Sequence, residues 1–172
     1  MLLTVILAGC GSSPAPPPAP AYSGTDVMFL QMSLAYADQG ERVAEPAARR
    51  AADPRLRALA AEAREQWRAE ARTMRDWLTL WRQPASADPA ADAHAGHGDL
   101  HSLRDADIAE LAAARGHDFD RTAVGLLLGH LHNCVGVSRM ESVGGRFPPA
   151  RELAERMTAN RQAHIRRLLA LA

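Results

Sequence analysis

The chain contains no lysine: its 20 basic residues are all Arg, and 20 Asp and Glu balance them to a formal net charge of zero. The two signs are interspersed, so there is no basic stripe of the kind that tracks a nucleic acid backbone. Cysteine is scarce, and two Cys, at 10 and 134, exclude a disulfide framework of the small secreted type. Aromatics make up 5% of the residues, and the three Trp, at 67, 77 and 81, fall in one segment. No apolar run approaches the ~20 residues a helix needs to cross a bilayer. A phosphate loop, a Ser-His-Asp order, a paired catalytic carboxylate motif and zinc-finger spacing are missing, as are the Glu-x-x-His motifs of di-metal oxidases. Enzyme is therefore the class with least support.

What is present begins with a targeting segment. Residues 2–7 are apolar and run into Leu7-Ala8-Gly9-Cys10. That tetrad resembles the lipobox of bacterial lipoproteins, in which a small residue before Cys permits cleavage and the Cys becomes the lipidated N-terminus. No Lys or Arg precedes the run, a departure from the usual signal. Residues 1–9 are expected to be the signal segment. Cys10 is the expected lipidation site, and residues 10–24, rich in Pro and Ala, a stiff solvated tether. The expected location is extracytoplasmic, anchored to the outer face of the bacterial cell membrane. With Cys10 lipidated, Cys134 has no intrachain partner.

The rest of the chain repeats itself. At an offset of 94 residues Asp26 falls on Asp120, Leu34 on Leu128, Val43 on Val137, Pro54 on Pro148, Leu59 on Leu153, Ala60 on Ala154 and Arg72 on Arg166. Each half reads as a long helix, a Pro-marked turn and a second long helix, and two such hairpins make an all-α four-helix bundle. The expected domain is residues 25–172, with repeats at about 25–81 and 118–172 and a linker at 82–117. The first helix is expected over about 25–45, opened by Asp26 and weakened by Pro46. Asp53-Pro54 starts the second, which runs to about Trp81. A short linker helix is expected over about 102–114, capped by Ser102. The third runs from about Asp118 to Val143 and stops at Gly144-Gly145; Pro148-Pro149 starts the fourth.

Spacings of three and four set the buried faces. In the second helix they pick out Leu56, Leu59, Ala63, Trp67, Glu70, Met74, Trp77 and Trp81, and in the fourth Ala150, Leu153, Met157, Arg161, His164, Leu168 and Leu171. His164 thus falls where Glu70 lies in the first half. The first helix contributes Phe29, Ser33, Tyr36, Gly40 and Val43, and the third Ala123, Leu127, His130, Cys134 and Val137. The expected interior holds a polar layer of Tyr36, Glu70, His130 and His164, with Cys134 and Met74 one turn away. Trp77 and Trp81 read as end packing, and His117 and His132 as surface residues.

Several of these segments resemble the family called domain of unknown function 305, ferritin-like bundles often found as secreted or lipid-anchored bacterial proteins. The run Asp26-Val27-Met28-Phe29-Leu30-Gln31-Met32 resembles the family's opening Asp-x-x-Phe-x-x-Met. Glu70-x-x-x-Met74-x-x-Trp77 resembles its second-helix signature. Phe119-Asp120-Arg121 with Leu126-Leu127-Leu128-Gly129-His130 resembles the opening of its second half. The resemblance covers about residues 25–172 and implies a ferritin-like bundle. The family's hallmark is a His-His pair in the first helix of each half with Met nearby, and some members are implicated in copper binding and tolerance. Here the first pair reads Tyr36-Ala37 and the second His130-Leu131, while Leu100, Leu103 and Leu168 stand at positions often Met in the family and His164 at a Glu position. The implied copper role rests on a depleted ligand set.

Two readings of the interior layer follow. In one, His130, His164, Cys134 and Glu70 converge on copper or zinc, a mixed site leaning towards soft ions. In the other, the Tyr36 hydroxyl, Glu70, Arg161 and the two imidazoles satisfy one another as a buried network. The discriminating geometry is whether the two imidazoles lie within about 5 Å of each other with a third donor, or whether Arg161 fills that space. His94, His97 and His101 form a second, weaker candidate array for transition metals in the linker. Cys134, mid-helix and buried, reads as an inert thiol. Gly125, Gly129 and Gly136 each cost a helix up to about 1 kcal/mol against Ala and leave room for close approach of another helix, from this chain or a second copy. The expected function is a non-enzymatic envelope protein with a degenerate metal site and a structural or interaction role, its partners being the membrane, a second copy or another envelope protein. The alternative is a copper- or zinc-buffering protein.

Overall fold

The computed structural model describes residues 21–86 and 103–172. Cys10 and the linker histidines His94, His97 and His101 lie outside the described residues. Among the described residues five helices follow in order: α1 (Gly24–Arg50), α2 (Pro54–Leu80), α3 (Asp105–Ala113), α4 (Gly116–Gly144) and α5 (Pro148–Leu169). Two antiparallel hairpins, α1–α2 and α4–α5, meet mainly through α1 against α4, and α3 leans on α4. This is the four-helix bundle that the repeat implies.

Two helix limits differ from expectation. Pro46 sits inside α1, which continues to Arg50. A mid-helix Pro costs one backbone hydrogen bond, but the turns on either side bury Val43, Ala44 and Ala47 completely. Arg50 ties the helix end down: its guanidinium donates to the Ala114 carbonyl at 2.7 Å and lies 4.3 Å from the centre of the Phe119 ring. Tertiary burial overrides the local break. The short helix α3 begins at Asp105, where the Arg104 N–H donates to the Asp107 carboxylate at 2.9 Å; Ser102, the expected cap, lies outside the described residues.

The repeat is closed by two aspartates: Asp26, expected only as a helix opener, and its repeat counterpart Asp120. Asp120 in α4 accepts the N–H groups of Ala52 and Asp53 at 2.8 and 2.7 Å. Asp26 in α1 accepts those of Arg146 and Phe147, at 3.0 and 2.8 Å. At the repeat offset Ala52 corresponds to Arg146 and Asp53 to Phe147, so the same bond is made twice, each time from one half's first helix to the turn of the other half. Helix starts leave N–H groups without intrahelical partners, and these carboxylates supply acceptors. Phe147, at the α5 N-cap, has no side-chain acceptor of its own.

Apolar packing forms two clusters along the bundle. One holds Val43, Ala47, Leu56, Leu59, Phe119, Leu127, Leu131 and Leu168. The other holds Phe29, Leu30, Met74, Leu78, Val137, Leu153 and Met157. The aromatic end of the second cluster is Tyr22 stacked on Trp81 (centroids 4.2 Å apart), with Trp77 and Trp81 edge-on to Phe147. Met74, expected beside the polar layer, belongs here. In α1, α2 and α5 the boundary between the clusters falls at polar residues, Tyr36, Glu70, and Arg161 with His164, while in α4 His130 and Cys134 stand at the inner edge of the first cluster, just before its last member Val135.

Candidate functional site

The central layer is built on helix faces, so its side chains are held by packing on both sides. Glu70 and Arg161 face one another from α2 and α5 and form a bidentate pair. Arg161 Nη1 donates to Glu70 Oε1 at 2.7 Å, and Nη2 to Oε2 at closer range. Their side chains are 10% and 3% exposed. Planar guanidinium against carboxylate is the geometry that best offsets the desolvation of both charges. Arg161 Nε has no partner among the described residues.

The two histidines part company. His164 turns towards Glu62, with Nε2 3.4 Å from Oε1, while Arg167 donates to the other Glu62 oxygen at 2.6 Å. Burial lowers the His164 pKa below its ordinary value despite the pull of Glu62, and its Nδ1 has no partner among the described residues. His130 stays inside α4's face. Its Nε2 lies 3.5 Å from Cys134 Sγ, and its ring sits edge-on between Tyr36 and Trp67, at centroid distances of 5.9 and 5.6 Å. Burial, with Arg161 nearby, pulls its pKa from 6.5 down to about 4. Burial pushes the Cys134 thiol from 9.0 up to about 11, where the opposing effects of Arg161 and Glu70 leave it. At neutral pH both groups are uncharged.

The four expected ligands therefore do not converge. The structure brings His130 and Cys134 together. Glu70 is taken by Arg161, and His164 by Glu62; no group of three or more His, Cys, Asp or Glu positioned for a metal occurs among the described residues. The reason is charge: a buried carboxylate within reach of a guanidinium pairs with it before it serves as a neutral network's acceptor. What remains beside His130 and Cys134 is a cavity of about 10 Å³, walled by Ser33, Tyr36, Trp67, Met157 and Arg161 among others.

Two residues that shape this site escape a reading of spacing alone. A Cβ on Gly40 would lie 2.5 Å from His130 Nε2 and 2.7 Å from the Trp67 ring, so Gly40 is what lets both rings in. Its repeat counterpart is Cys134. Glu62, the partner of His164, lies off the apolar seam and gives no periodic signal. Gly125, Gly129 and Gly136 have nothing within 4 Å of an added Cβ, and His117 and His132 are exposed.

A second buried acid lies at the aromatic end. Glu141 in α4 is fully buried, and neither carboxyl oxygen has a donor among the described residues. Burial, together with the Asp26 carboxylate beside it, raises its pKa from 4.5 to about 8. Asp26 goes the other way. Burial opposes its ionised form, yet the Ser23 hydroxyl, backbone N–H groups and the Glu141 carboxyl hold its pKa below the ordinary value. A neutral Glu141 donating to an ionised Asp26 accounts for both directions.

The family model for Domain of unknown function (DUF305) matches residues 26–172. The chain belongs to the DUF305 family. Solved structures agree in fold. A DUF305 protein of Streptomyces coelicolor, described as secreted, is 20% identical with a TM-score of 0.77, over 86% of this chain and 91% of that one. A DUF305 fragment from Deinococcus radiodurans is 23% identical with a TM-score of 0.75, over 88% and 97%. CopM in its Cu(I)-bound form is 21% identical with a TM-score of 0.70, over 87% and 96%; it is also solved in Cu(II)- and Ag-bound forms. Among curated proteins none matches this sequence. Within this DUF305 chain, Tyr36 and His130, where the sequence was expected to depart from the family's His-His pairs, both lie in the polar layer just described.

Proposed function

We propose that this chain is a non-enzymatic envelope protein of the DUF305 family, carried on a lipidated Cys10, whose bundle centre has exchanged a multi-helix metal site for an ion pair and now serves a structural or interaction role. One observation carries the reading: Arg161 occupies the centre and takes Glu70 as its bidentate partner. A carboxylate so held is not free to ligate, and a fixed guanidinium beside His130 opposes an incoming dication. Titration of the protein with Zn(II) and Cu(II) in competition with a chelator tests this. Binding no tighter than that of the linker histidines, and unchanged in His164→Ala, agrees with it. A tight stoichiometric site lost in His164→Ala or Glu70→Gln refutes it.

A second reading, metal handling at the envelope, is favoured by the 3.5 Å contact between His130 and Cys134 and by the copper- and silver-bound forms of the CopM neighbour. Both readings place the domain outside the cytoplasm, as the lipobox-like tetrad suggests.

A further inference from the structure

Resting on the reading of Cys10 as the lipid anchor, we propose that the aromatic end of the bundle docks on a phospholipid bilayer, with Leu80 and Val143 entering the interface and Arg82 and Arg146 meeting the phosphate headgroups. The membrane is then gripped by protein surface and not by the acyl group alone.

Four helix termini meet at this end. Tyr22 holds the start of α1 against the end of α2: its hydroxyl donates to the Trp81 carbonyl at 3.3 Å, and its ring stacks on Trp81. Gly144, at the end of α4, lies beside Thr25, whose Cγ2 an added Cβ would approach to 3.5 Å. In a chain with three Trp, two Tyr and three Phe, Tyr22, Trp77, Trp81 and Phe147 gather here, all of them only half-buried. Three large hydrophobic side chains stand exposed among the described residues, and two of them are here: Leu80, the last residue of α2, at 75%, and Val143, in the last turn of α4, at 89%. Trp and Tyr concentrate where a bilayer meets water, because each ring has an apolar body and a polar edge that forms hydrogen bonds.

Charge and backbone agree. Arg82 follows Trp81 and Arg146 precedes Phe147; both are exposed, and neither guanidinium has a hydrogen bond or ion pair among the described residues. A free guanidinium matches a phosphate with two parallel bonds. Asp26 and Glu141, the acids of the same turns, are fully buried, and the exposed Asp76 and Glu152 lie one turn further from the end. Arg82 has φ 55°, the one left-handed residue other than glycine among those described. It stands just past a helix C-cap, where Gly is favoured, and backbone strain of this kind clusters at binding sites.

Chain length completes the argument. The described residues begin at this end with Ala21, and Cys10 precedes it by eleven residues. Eleven residues reach at most about 36–40 Å, so the tether brings this end to the bilayer and keeps it there at high effective concentration. A patch of two aliphatic side chains, a few aromatic edges and two guanidiniums is weak alone. It orients a bundle that the acyl group retains.

The test uses the full chain carrying its acyl group, on phosphatidylglycerol–phosphatidylcholine vesicles with brominated acyl chains. Bromine quenches only indoles that come close to it, and Trp67, buried in the bundle centre, gives a constant background. The variants are Leu80→Ser combined with Val143→Ser, and Arg82→Gly. Quenching of Trp77 and Trp81 is expected in the wild type. The docked-to-undocked ratio should fall about tenfold or more in the double variant. It should fall about fivefold in Arg82→Gly, whose Tm should hold or rise as the backbone relaxes. A merely structural Arg82 would leave the quenching unchanged. Acylated protein whose emission is not quenched stands off on its tether and overturns the proposal. So does quenching that survives in both variants, which would put another face on the lipid. Self-association lost in the double variant, without quenching, would give this end to a second copy and overturn it too. The anchor reading fails separately, when mass spectrometry finds no acyl group on Cys10; the same quenching, read at saturating lipid, still decides the surface.

Discussion

Replacing Glu70 by alanine strands the Arg161 guanidinium in the bundle centre. Both side chains of the pair are nearly inaccessible, at 10% and 3% exposure, and no other carboxylate is described in contact with Arg161. Removing one member of a buried pair costs about 3–5 kcal/mol, because the surviving charge loses both solvent and partner. For a domain of this size about 1 kcal/mol shifts Tm by roughly 2–4 °C, so Glu70→Ala should lower Tm by about 6–20 °C. The reverse perturbation is more telling. Glu70→Leu combined with Arg161→Met removes both charges and keeps volume, and such exchanges are neutral or stabilising by about 1–4 kcal/mol. Urea unfolding of the wild type, both single variants and the double closes a double-mutant cycle. A strongly non-additive cycle, with the double near or above wild type, is expected. A cost below about 1 kcal/mol for Glu70→Ala, or additive single costs, would mean that water reaches the pair and that the centre is not sealed as described.

Other consequences are separable. Glu141 is held protonated in the fold with a pKa near 8 against an ordinary 4.5; the native state therefore binds one more proton than the unfolded chain between those values, and stability should fall as pH rises from about 5 to about 8. Glu141→Gln should flatten that slope, and an unchanged slope would locate the titrating group elsewhere. Gly40→Ala should destabilise by about 1–3 kcal/mol through overlap with His130 and Trp67, whereas Gly129→Ala, in open space, should stabilise by up to about 1 kcal/mol; equal effects in denaturant melts would defeat the packing argument. Cys10→Ser should release the protein from the membrane fraction, and continued sedimentation with membranes would sink the lipid-anchor reading.

Periodicity made the long helices and their buried faces legible: every seam position from Leu56 to Met74 and from Ala150 to Leu168 is buried. The repeat foretold the two hairpins. It also contained, unread, the two clamps, since Asp26 and Asp120 coincide at the same offset as the turns they hold. Pro46 misled because local propensity yields to burial of the turns around it. At the centre, spacing placed Tyr36, Glu70, His130, Arg161 and His164 on inward faces, but not who pairs with whom. Pairing depends on rotamers across α2 and α5, a contact between residues 91 positions apart in the case of Glu70 and Arg161, and on Glu62, which carries no periodic mark. The Glu141–Asp26 pair was invisible for the same reason: nothing in a single helix pattern announces that two acids from different helices will share a proton.

The paired clamps of Asp26 and Asp120 carry one last implication. Each ties one hairpin to the other, and neither ties a hairpin to itself. The bundle is thus held as a dimer of half-chains would be. In that architecture the order of the halves along the polypeptide is incidental. A chain beginning at α4 and ending at α2 would keep both clamps, and so would two separately made halves meeting in solution. Two whole chains trading hairpins would keep them too, which makes hairpin exchange between neighbouring copies a route to assembly that needs no new surface.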